Sequence, residues 1–330
     1  MMQNRMHFPH FLAFGMLFFL GFGCAPKIRV VWFELPKSES DLVENTKLLR
    51  KNQDNACCSD YHFAIPDEAH LDHFPKRYLR INIHVMDSTS GMQNFSRDSG
   101  LVFISELIDL ANENLRHNVH NWLPRPNENP TMPIGFEYVR PEVSDYYFQR
   151  DNSLYFFVFK GENQNNYDRT VLKKYNVSGD SAINMFFMPH HPDSQHVKTY
   201  IPGGQGIALG NNIKVAGIFE FRHERPRTFK GLINHEVGHV LGLSHAWTED
   251  GCEDTPTHVQ NCWTWTPNPP CDRESYNNVM DYNAYQEAWT PCQIGRVLLG
   301  LSNLNSVPRR ALWAAMRVTI SASPASAVAT

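Results

Sequence analysis

This 330-residue chain lacks a continuous apolar run long enough to cross a bilayer comfortably. The apolar run from Phe11 to Phe22 falls short of the roughly 20 residues that a spanning helix needs. Positive charge is also scarce: 30 Lys and Arg stand against 34 Asp and Glu, a formal net charge of −4. With no basic stripe, nucleic acid is excluded as a partner class. Charged residues make up only 19% while hydrophobic residues reach 42%, a balance that excludes wholesale disorder and supplies a packed core. There is no internal repeat, and the length suits one large domain or two small ones.

What is present begins with a leader. Arg5 precedes the apolar run, and residues 1–23 read as a signal peptide. The run ends in "LGFGC", which resembles a bacterial lipobox and would make Cys24 the lipidated residue. The alternative is ordinary cleavage and free secretion. Either way the mature chain is exported, as a cell-envelope lipoprotein or a secreted protein, where disulfides persist. Residues 24–75 are polar and irregular, a linker or a pro-segment. Adjacent Cys57 and Cys58 either block a metal site from that segment or are paired or inert. Residues 76–310 form the expected catalytic domain, and 311–330 a disordered tail.

In "RYLRINIHVMD", Leu79, Ile81, Ile83 and Val85 alternate with Arg80, Asn82 and His84, the mark of a half-buried strand. Ile104, Leu107, Ile108, Ala111 and Leu115 follow helical spacing. Further strands are expected at 134–139, 154–159 and 183–188. "GGQGIALGNNIKVAGIFEF" reads as an edge strand or hairpin. The fold class is therefore α/β or α+β. From 246 to 290 periodicity nearly vanishes, and so long a loop needs staples or a function.

The densest chemistry is "NHEVGHVLGLSH", Asn234 to His245. On a helix, His235 and His239 project from one face a turn apart. Neutral imidazoles so spaced can grip one zinc ion. Glu236 on the adjoining face is placed to take a proton from water activated there, the logic of HExxH. Gly242 lets the chain turn and bring His245 back as third ligand. Three histidines leave a fourth position open, the pattern of catalytic rather than structural zinc.

The whole string HExxHxxGxxH resembles the metzincin zinc peptidases. "NNVMDY" offers Met280 for that clan's methionine turn, and Tyr282 two residues on, which the resemblance implies helps hold metal or oxyanion. "LINHEVGHVLGLSHAW", "EDTP" and "NNVMDY...TPCQIGR" are most similar to the pappalysin branch with its bacterial cytophagalysin-type members. The resemblance implies a metzincin-like zincin domain: a mixed twisted sheet with the active-site helix above a cleft, and an irregular, disulfide-stapled lower lobe. It implies a zinc endopeptidase acting on protein or peptide. A non-catalytic zinc-binding surface domain of the same fold is the rival, disfavoured by the retained Glu236. A monomer is expected, touching membrane only through a lipid anchor.

Cys252, Cys262, Cys271 and Cys292 read as two disulfides. Four cysteines allow three connectivities, and the resemblance favours Cys252–Cys271 with Cys262–Cys292. Asp250, Glu253, Asp254 and Thr255 suit calcium or form a solvated acidic turn. His190, His191 and His196 read as exposed histidines rather than a second metal site.

Overall fold

The computed structural model describes residues 18–21, 27–30, 61–73, 76–125, 128–151, 170–179, 181–190, 203–260, 262 and 276–302. Strands β1 (Phe18–Gly21) and β2 (Lys27–Val30) make a separate antiparallel pair. Cys24, Cys57, Cys58 and the 311–330 tail lie outside the described residues. Strand β3 (Arg77–Leu79) runs parallel to β5 (Phe136–Tyr138). The main sheet contains β4 (Ile81–Asp87), β6 (Tyr146–Arg150), β7 (Ile183–Met188), β8 (Gln205–Leu209) and β9 (Asn212–Ala216), in the order β6-β4-β7-β9-β8. Its first four members are parallel, and β8 closes one edge as the antiparallel arm of a hairpin with β9.

Apolar alternation decides which face packs where. Ile81, Ile83 and Val85 of β4 join Met185, Phe187, Ile213 and Val215 in one core. Helices α1 (Arg97–Arg116) and α3 (Lys230–Val240) cover it through Ile104, Leu107, Ile108 and Ala111 and through Ile233 and Val237. Ser96 caps α1 by accepting the Ser99 N–H at 3.3 Å. The opposite face buries Met86, Phe186 and Met188 beneath Leu172 of the short helix α2 (Thr170–Tyr175). A last helix, α4 (Pro291–Ser302), packs Ile294, Val297, Leu298 and Leu301 into the main core.

The expectation of a half-buried strand fails for β4, which is buried along its whole length. The reason is its place in a parallel sheet covered on both faces. His84, which looked solvent-facing, lies between Phe186 and Tyr147, with ring centres 4.3 and 5.0 Å away. Its Nε2 lies 2.8 Å from Asn184 Oδ1. Burial pushes the His84 pKa down to about 4. Strand β6 had no periodic signal and was not expected, while the strand expected at 154–159 falls outside the described residues.

Residues 61–65, within the 24–75 segment read above as a linker or a pro-segment, pack on α4. A Cβ at Gly295 would lie 2.8 Å from the Tyr61 carbonyl and 2.7 Å from Ile65 Cγ1, and Ala64 and Ile65 join the core. The expected disulfide pairing is corrected: Cys252 bonds to Cys292, with Cα atoms 5.5 Å apart. The start of α4 sits on the 250–254 loop, where the Cys292 N–H donates to Asp254 Oδ2 at 2.8 Å and Arg296 Nη1 donates to the Gly251 carbonyl at 3.2 Å. That contact brings Cys292, rather than Cys271, to Cys252. Cys262 is also disulfide-bonded, and Cys271 lies outside the described residues.

His84 makes stability pH-dependent. An unfolded histidine takes up a proton near pH 6.5, whereas this one stays neutral in the fold down to about pH 4. The unfolded chain therefore binds the extra proton in that window, and stability falls as pH drops from 6.5 toward 4. The loss from this group is of order 3 kcal/mol. Denaturant titrations across the window should show a shallower pH dependence for His84→Gln, which keeps a donor for Asn184; equal slopes would contradict the assignment.

Candidate active site

Helix α3 reads KGLINHEVGHV and presents His235 and His239 on one face. It is anchored by polar contacts that its own periodicity does not reveal. Asn234, fully buried, accepts the Tyr138 hydroxyl at 2.8 Å and donates to the Ala111 carbonyl at 3.2 Å. Gly242 ends the helix with φ of 98°. Its N–H reaches the His239 carbonyl, and the Leu243 N–H reaches the Gly238 carbonyl, each at 3.0 Å. This is the Schellman pair of bonds, which requires a left-handed residue at that position. The chain then doubles back and delivers His245.

The three imidazoles meet through their Nε2 atoms. His239 Nε2 lies 3.2 Å from His235 Nε2 and 2.9 Å from His245 Nε2. The far side of two rings is committed: His235 Nδ1 donates to the Val279 carbonyl at 2.7 Å, and His239 Nδ1 to the Leu243 carbonyl at 2.9 Å. A neutral ring donating from Nδ1 carries a lone pair on Nε2. Burial lowers the pKa of all three, that of His245 to about 3, so the rings are neutral at ordinary pH. Lone pairs converging on one point suit a cation. Two nitrogens bound to one tetrahedral zinc would stand about 3.3 Å apart, close to the spacing here. The residues present fit zinc.

Around this centre stand residues from both lobes. Met280 is fully buried beneath the helix, and a Cβ at Gly238 would run into its sulfur. The Met280 carbonyl accepts the Ala246 N–H at 2.9 Å, tying the turn to the segment that carries His245. The Tyr282 ring centre lies 5.2 Å from that of His245 and 5.6 Å from that of His235. Trp247, given no role above, stacks on His245 at 4.0 Å and borders Tyr282 at 4.4 Å. Asp281 Oδ1 accepts the Tyr282 N–H at 2.8 Å and holds that residue's backbone.

Glu236 is buried beside the first ligand, against edge strand β8. Burial pushes its pKa up to about 8, while the Ala208 N–H donates to its carboxylate and opposes that rise. A dication at the histidines would favour the ionised form. The carboxylate thus stands buried beside the three histidines, held by a backbone amide of β8.

Residues of the acidic loop are hydrogen-bonded within the fold. Asp250 accepts the Cys252 N–H and the Thr255 hydroxyl at 2.8–2.9 Å, and burial raises its pKa to about 6. Asp254 accepts from Cys292. Among the described residues, the acidic loop gathers no cluster of three carboxylates; the close group Cys252, Asp254 and Cys292 has two of its members joined as a disulfide. His190 is buried rather than exposed, just past the end of β7, where its backbone N–H donates to Glu220 Oε1 at 2.8 Å. His191 and His196 lie outside the described residues.

Residues 159–307 match the family model of reprolysin-like metallo-peptidases, family M12B. No curated protein matches the chain in sequence. Among solved structures, mirolysin in complex with compound 9 is similar at 17% identity and a TM-score of 0.51, covering 74% of this chain and 99% of that one. Mature mirolysin of Tannerella forsythia in complex with a cleaved peptide gives 17% identity and 0.49, covering 74% and 98%. The matched segment spans the three histidines, and the chain has the mixed α/β zincin fold of the metzincins that mirolysin also has.

Proposed function

We propose that this chain is a zinc-dependent endopeptidase of the pappalysin type, cleaving extended protein or peptide segments by attack of water with Glu236 as general base. The observation that carries the reading is the placement of Glu236: a buried carboxylate held by the Ala208 amide, one residue from the first of three convergent histidines. His235, His239 and His245 would hold the zinc, which when bound supplies Lewis-acid polarisation of the scissile carbonyl and of water. Glu236 takes the proton of the attacking water and returns it to the leaving amine. The Tyr282 ring lies beside His235 and His245 and is exposed, and its hydroxyl would donate to the developing oxyanion. Strand β8 ends the sheet, and its outer edge suits main-chain pairing with an extended substrate.

Glu236→Gln preserves shape and removes the base. Hydrolysis of fluorescently labelled casein by the full chain should fall at least ~10²-fold, with zinc content by elemental analysis staying near one per chain. Undiminished hydrolysis would overturn the base assignment. An absence of hydrolysis in the parent chain, with zinc bound, would favour the non-catalytic surface domain.

The reading includes export and anchoring through Cys24. Supporting it are the charged start, the short apolar run and "LGFGC". In a bacterial host the chain should partition with membranes, stably so because more than one acyl chain would be attached, and Cys24→Ser should release or misprocess it. An unmodified mature N-terminus at another residue, seen by mass spectrometry, would reject the anchor.

A further inference from the structure

Gly206 lies second in strand β8, which among the described residues is the last of the sheet, with helix α3 packed against it. Its φ is not among the left-handed values, so backbone conformation does not call for glycine. Space does. A Cβ built there would stand 2.5 Å from Glu236 Oε1, 2.6 Å from Cγ and 2.7 Å from Cδ. All three nearest atoms belong to one side chain, and they run along it rather than touching only its tip. Two residues on, on the same face of the strand, Ala208 keeps its methyl packed against the core and its N–H donates to the same carboxylate.

We propose that Gly206 is a positioning residue for the general base: the missing side chain leaves a notch in the edge strand, the Glu236 side chain seats in it, and the Ala208 amide holds the carboxylate there. The inference rests on the reading of Glu236 as base and adds what fixes it. A methyl group needs about 3.5 Å or more from these atoms. Gly206→Ala would therefore drive the carboxylate roughly 1 Å from its place. The strand that presents its edge to substrate would then also set the position of the base. The competing explanation is that Gly206 keeps the edge bare so that substrate backbone can approach closely. The two explanations predict different kinetics and different thermal behaviour.

The test is a cycle of four full-length, zinc-loaded chains: parent, Gly206→Ala, Glu236→Ala and the double variant. On a quenched fluorogenic peptide built from a site that the parent cuts in casein, Gly206→Ala should lower kcat by about 10²-fold with KM little changed, as for a displaced catalytic group. Zinc should remain near one per chain. By circular dichroism, Gly206→Ala should lower Tm by about 5 °C when Glu236 is present, an overpacking cost. It should have little effect on Tm when Glu236 is alanine. If Gly206→Ala fails to fold but the double variant folds, the clash with Glu236 is confirmed. If both fail to fold, the methyl meets something else and the proposal falls. It also falls if kcat is unchanged, if KM alone rises, or if Tm drops equally in both backgrounds. Loss of the general-base role would show separately, as full activity in Glu236→Gln, while the thermal cycle still reports the contact.

Discussion

Two imidazole Nε2 lone pairs brought within 2.9–3.2 Å of a third repel unless a cation lies between them. The fold enforces that convergence instead of relieving it. Carbonyls of Val279 and Leu243 hold the Nδ1 protons of His235 and His239 and so prevent either ring from turning its donor inward. Burial keeps all three rings neutral. Metal binding and folding are then linked: an ion that fills the centre stabilises the folded chain, which alone presents the three donors.

The same constraint joins the two lobes. His235 belongs to α3, yet its orienting acceptor, Val279, belongs to the methionine turn 44 residues later. Met280 lies against Gly238, and its carbonyl holds Ala246 next to His245. The Cys252–Cys292 bond and the contacts of Asp254 and Gly251 with α4 fasten the loop that follows. On the other side, β8, the last strand of the sheet among the described residues, carries the Ala208 amide that meets Glu236. The three histidines, Glu236 and strand β8 are therefore held by a small number of buried polar contacts between segments distant in sequence.

What could be read in the chain follows from this division. His235, Glu236, His239, Gly242 and His245 are legible because local helical geometry and one left-handed glycine fix their relation. The β8–β9 hairpin was legible from its glycines and apolar alternation. Long-range partners were not. Nothing in the local pattern of INIHVMD tells that a second layer covers His84, because the covering residues, Phe186, Tyr147 and Leu172, come from other segments. The Cys252–Cys292 pairing depends on where α4 begins relative to the acidic loop, which spacing among four cysteines does not determine. Val279 and Leu243 act through backbone carbonyls and leave no trace in residue identity. Trp247 did leave one, an aromatic two residues beyond the last ligand, but its meaning required the stacking geometry.

The most direct measurement of the central claim is X-ray absorption at the zinc edge on the purified full chain. The account predicts three imidazole nitrogens and one oxygen at about 2.0–2.1 Å, in four-coordinate geometry. A shell containing sulfur at about 2.3 Å, or a six-coordinate oxygen shell, would contradict it.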